Sequence, residues 1–85
     1  MKVQLVRHSF PDRPDWILIE ETVSLGTIYE VMAYSRDFMI INEILREKRE
    51  IEAYFVKGNH GEGWLPKVCF EMIIGRDESL YRKGN

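Results

Sequence analysis

Cysteine is nearly absent: Cys69 stands alone, so no disulfide can form within the chain. Nothing else staples a fold this small, and a reducing compartment is the natural expectation. Long apolar runs are missing too. Even a run such as Phe38 to Ile41, which no other apolar run exceeds, falls far short of a bilayer span. Met1 to Arg7 offers no apolar stretch long enough for a signal peptide before Arg7 and His8 interrupt it, so a cytoplasmic location without membrane association is expected. There is no excess of positive charge either: the net charge is −2 and the pI about 5.7. Without an overall positive field to draw in a phosphate backbone, nucleic acid is not the expected partner. Internal repeats and low-complexity tracts are absent as well.

What remains is a chain of 85 residues with 45% hydrophobic and 31% charged residues, the composition of one globular domain. A chain this short buries only about 60–65% of its unfolded surface, so its core is thin.

The pattern is that of strands. Lys2 to Arg7 alternates, with Val3 and Leu5 on one face. His8 to Asp15 carries two prolines, Pro11 and Pro14, and reads as an ordered loop, with Trp16 to Ile19 as a short strand returning from it. Thr27 to Tyr34 is β-branched and aromatic, with Glu30 pointing outward. In Asp37 to Leu45, apolar residues occupy both faces of any strand, so both faces need cover, from the fold or from a second subunit. Glu43 to Glu52 is rich in helix-forming charges, with Arg46–Glu50 and Lys48–Glu52 at helical spacing. Its apolar residues sustain no helical stripe, however, and a long hairpin with its tip at Arg46 to Glu50 is the preferred reading. Ile51 to Lys57 is a strand, Gly58 to Gly63 a turn, and Pro66 a strand end. The last strand closes near Ile74. Residues 1–74 form the expected domain, and 75–85 a mobile tail.

Three stretches carry a resemblance. Val23-Ser24-Leu25-Gly26-Thr27-Ile28-Tyr29-Glu30-Val31 resembles the "L-T-x-G-K-x-Y-E-V" opening of small SH3-like proteins found widely in bacteriophages and bacteria. Asp37 to Asn42 resembles their middle strand, often "D-Y-x-I-I-N-D". Gly63 to Glu71 resembles their closing "G-W-x-P-x-x-x-F-E". The resemblance implies an all-β, SH3-like barrel of five or six strands, here with an extended charged hairpin. The alternative is an α+β fold with a short helix near residues 37–50. If the chain is phage-encoded, its location becomes the host cytoplasm. Most such proteins have no assigned activity, so the resemblance implies a fold and not a function. Trp64 and Pro66 are residue types of the proline-rich-peptide groove of ordinary SH3 domains. The "A-L-Y-D-Y" stretch that supplies that groove's tyrosines is missing.

Other combinations fail on context. Leu5-Val6-Arg7-His8 is similar to the start of histidine phosphatases, but Ser9 replaces the glycine and the chain is too short for that fold. His8, Ser9 and Asp12 are the residue types of a hydrolase triad, without the spacing that sets nucleophile against base. His8, His60 and Cys69 lack the paired short spacing of metal ligands. The glycines at 58, 61 and 63 are followed by no Lys-Ser/Thr, so a hairpin turn explains them better than a phosphate loop.

The expectation is therefore a non-catalytic module without a cofactor that binds a protein, as a modulator or inhibitor of a host protein. The candidate contact residues are Pro11, Arg13, Pro14 and Trp16 in the proline loop, with Tyr34, Tyr54 and Trp64 adding to the same face. Capping of the barrel end is the competing role for Trp16. A nucleotide or short nucleic acid held by aromatics with Arg7, Arg13 or Lys67 is the alternative ligand. The apolar Phe38–Ile41 strand can also pair with a second copy to give a homodimer.

Overall fold

Among the described residues, alternating apolar residues and glycine- or proline-marked turns fold into seven strands. The computed structural model describes residues 1–59 and 61–73; the proposed tail 75–85 lies outside them. The strands are β1 (Lys2–Leu5), β2 (Ser9–Phe10), β3 (Arg13–Ile17), β4 (Ile28–Asn42), β5 (Glu47–Gly58), β6 (Gly61–Pro66) and β7 (Phe70–Ile73). A 3-10 turn, Lys67–Cys69, follows Pro66. The fold is all-β. Residues 37–50 run strand, turn, strand, which rules out the helical alternative.

Five strands form one antiparallel sheet in the order β6-β5-β4-β1-β7, and β2 pairs with β3 in a separate hairpin. Among the described residues no hydrogen-bonded ladder joins β6 to β7, so the sheet is coiled but not closed into a barrel. Tyr54 on β5 and Phe70 on β7 are three strand spacings apart, about 14 Å in a flat sheet. Their ring centroids are only 6.4 Å apart, so the sheet wraps over its own face. Val3, Leu5, Ile19, Tyr29, Tyr54, Val56, Cys69 and Phe70 fill the space this leaves. Full burial of Val3, Leu5 and Val56 contributes about 1.5–3 kcal/mol each.

β4 is the organising strand. Its first residues pair with β1 (Val3 opposite Tyr29), and its remainder pairs with β5 out to Asn42–Glu47. Register shifts between Val31 and Ala33, and between Ser35 and Phe38, give β4 two more residues than β5 over the shared stretch. Such bulges bend and twist a strand, which lets one 15-residue strand serve both the core and a projecting arm. At 3.3–3.4 Å per residue β4 alone spans about 50 Å, and the molecule measures 53 × 25 × 25 Å.

The arm turns at Glu43–Arg46, three residues earlier than the expected tip. Asn42 sets the turn: its Oδ1 accepts from the Leu45 N–H at 2.8 Å, and Arg46 adopts the left-handed conformation (φ 57°). The proline segment is a hairpin and not a loop, with Pro11–Asp12 as its turn. Gly58 belongs to β5 and Gly61 to Gly63 belong to β6, with Gly58 paired to Gly61, so these glycines are strand residues and not the expected turn.

Candidate functional site

The seven candidate contact residues fall into three separate places. The first is the β2–β3 hairpin. Trp16 meets Phe10 edge-on (5.3 Å, 90°), and both are buried, with Trp16 only 3% exposed. The Arg49 guanidinium from β5 lies 4.2 Å from the Phe10 ring centroid and 5.6 Å from that of Trp16. Arg13 makes a two-pronged contact with Asp15 and donates to Glu47 of β5 at 2.8 Å, while Arg49 approaches Asp12 at 3.8 Å. The hydrogen bonds to Asp15 and then Glu47 raise the Arg13 pKa, and Arg13 in turn lowers that of Asp15. The hairpin is thus docked on the arm. Trp16 and Arg13 spend their contact groups within the molecule, leaving Pro11 and Pro14 exposed. Trp16 is buried between Phe10 and Arg49, outside the main core cluster.

The second place is an aromatic row. Trp64 stacks on Phe38 (5.6 Å, 21°) and leans on Phe55 (5.5 Å, 57°). Phe55 pairs with Trp64 and Ala33, whereas Tyr54 pairs with Leu65 and Tyr34. Successive residues of a strand point to opposite faces. Trp64 therefore lies on the opposite face from Tyr34 and Tyr54, and the expectation of one shared aromatic face is corrected.

The third place is a cleft of about 410 Å3 lined by Arg7, Ile51, Glu52, Lys67, Val68 and Phe70. The strand break at Pro66 and the 3-10 turn after it bring Lys67 and Val68 beside β5. Arg7 donates to the Val68 carbonyl, fixing the turn from the other side. Beside the cleft, the Tyr34 hydroxyl donates to Glu52 Oε2 (2.7 Å), and Lys67 Nζ donates to Oε1 (3.2 Å). Lys67 also lies 5.8 Å from the Tyr34 ring centroid. Tyr54 is buried behind this group, its ring 6.1 Å from that of Tyr34. Of the candidate residues only Tyr34 reaches this region exposed. Ile51, Glu52, Val68 and Phe70 were not singled out, because alternation marks Ile51 and Phe70 as ordinary strand residues. Only the Pro66 strand stop hinted that the next residues turn outward.

The chemistry-bearing residues of the first strand end go elsewhere. His8 Nε2–H donates to the Val23 carbonyl (2.6 Å), and Asp12 faces Arg49, so His8 and Asp12 are directed to different partners. Cys69 is fully buried in the core, and that burial pushes its thiol up to about 11. Among the described residues, which leave out His60, no three His, Cys, Asp or Glu side chains cluster in a way suited to a metal. Among the described residues no helix is long and apolar enough to cross a membrane.

No family model, curated protein or solved structure matches the chain.

Proposed function

We propose that this chain is a non-catalytic protein-binding module that takes an extended peptide segment in the cleft between the 3-10 turn and β5. The observation that carries this reading is the composition of the cleft: an apolar floor of Ile51, Val68 and Phe70 under a rim that bears both charge signs, Arg7, Lys67 and Glu52. Such a surface suits a segment with an apolar anchor and polar flanks. The exposed Tyr34 ring, held by its hydrogen bond to Glu52, extends the contact area at little cost in side-chain entropy. A role as modulator of a host protein fits this mode of binding.

A nucleotide or nucleic acid is less well served. Lys67 is paired with Glu52, and Arg13 is committed to Asp15 and Glu47. A displayed random-peptide library is the direct test. Enrichment of related sequences by the wild-type chain, lost with Lys67→Glu and with Val68→Asp, is the expected result. Equal enrichment by the folded variants, or none by the wild type, overturns the reading.

A further inference from the structure

The second surface concerns the arm. β1 covers the outer edge of β4 only at Ile28 to Glu30, with one more bond from the Val31 N–H to the Met1 carbonyl. Beyond Val31 no described strand pairs with that edge, although β4 continues to Asn42. The other side of the arm is treated differently. There β6 pairs with β5 up to Ala53, and the β2–β3 hairpin then engages Glu47 and Arg49. Past Ala53 and Val31 no described strand pairs with either outer edge of the ribbon, but the hairpin engages side chains on the β5 side alone.

An open edge presents unpaired N–H and C=O groups, and proteins usually guard such edges with charge. The β5 side carries Glu47-Lys48-Arg49-Glu50. The β4 side carries Phe38-Met39-Ile40-Ile41, without a charge among them. Met39 and Ile41 are 49% and 67% exposed, so the arm covers neither within one molecule. The expectation that both faces of this strand need cover is not met inside one chain.

We propose that this edge pairs antiparallel with the same edge of a second copy, about a two-fold axis through Ile40. Residues facing one another across an antiparallel pair must turn their N–H and C=O groups the same way. A two-fold axis between identical strands therefore passes at a residue and not between two. Through Ile40 it sets Met39 opposite the second copy's Ile41, twice, and Ile40 opposite itself. Through Met39 it would set Ile41 against Asp37, and through Ile41 it would set Met39 against Glu43. Only the Ile40 register matches apolar to apolar on the exposed face. It also brings Asp37 opposite Glu43 at each end, which limits the pairing to Phe38–Asn42. The contact is self-complementary and closes at two copies. It begins at Phe38, across the strand pair from the cleft residue Ile51, runs outward along the arm and goes beyond the peptide-binding reading.

Sedimentation velocity across a concentration series tests this. The expected species has twice the 10.1 kDa chain mass. Ile41→Glu, at an exposed position, should weaken the dimer by at least about tenfold, with a melting curve that matches the wild type at concentrations where both are monomeric. Ile40→Cys in a Cys69→Ser background should cross-link under mild oxidation, and Ile44→Cys should not. A monomer at all concentrations, a dimer indifferent to Ile41→Glu, an open-ended assembly, or a monomer that pairs only with some other chain would each overturn the proposal.

Discussion

At Gly58 the side chain is excluded by a neighbour. A Cβ there would stand 2.7 Å from Cδ1 of Tyr29, a ring fixed in the core against Phe70. Gly63, two pairs along the same β5–β6 ladder, has nothing within 4 Å of the corresponding position. Gly58→Ala should therefore cost about 1–3 kcal/mol, the usual range for overpacking. Gly63→Ala should stay within about 0.5 kcal/mol. Denaturant unfolding of the pair checks this, and equal midpoints would contradict it. A second residue-scale consequence comes from Tyr34. Its bond to Glu52, followed by desolvation, raises the phenol above its ordinary value of 10.0. The same bond, then Lys67, lowers Glu52 below 4.5. The carboxylate contribution is present above about 4.5 and lost as pH falls through the depressed value; the phenol contribution is present below about 10 and lost as pH rises through the elevated one. The network is whole between those limits. Glu52→Gln should move the Tyr34 phenolate transition back toward 10.0, read as the difference between Tyr34 and Tyr34→Phe chains in ultraviolet titration. An unmoved transition would remove Glu52 as the cause.

At the scale of elements, the β2–β3 hairpin depends on β5. Two backbone bonds tie its base, from Leu18 and Ile19 N–H to the His8 carbonyl. Its tip is held by Arg49 against Phe10 and by the Arg13–Glu47 pair. The ion pairs are substantially exposed and contribute little by themselves. The stacked guanidinium is the stronger tie, about 1 kcal/mol in such settings. Arg49→Ala should speed amide exchange in the hairpin by roughly five- to tenfold while leaving β1 unchanged, and Arg49→Lys should fall between. Exchange that rises equally in β1 would mean that the hairpin and the main sheet open as one unit. The hairpin's strands were hidden in the sequence because Pro11 and Pro14 suggested a loop. Pro11 sits in the two-residue turn, and Pro14 falls in an irregular stretch of β3.

For the whole molecule, strand character was legible wherever local rules act alone. Alternation in Val3 and Leu5, the β-branched start of β4, and the strand stop at Pro66 all depend on neighbours within a few residues. The arm was legible as a hairpin because its apolar residues sustain no helical stripe, and only its tip was misplaced. The grouping of side chains was not legible. Trp16 is a large aromatic beside two prolines, and only the approach of Phe10 and Arg49, the latter 33 positions away in the chain, makes it an interior residue. Tyr34, Tyr54 and Trp64 look alike in sequence; register and two bulges decide which of them share a face. The sequence by itself determined an all-β domain and the alternation of its strands, because backbone preference and period are local. The tertiary structure decided which edge stays open, which aromatics are free and where the cleft lies, because exposure is set by residues that meet only after the sheet has coiled.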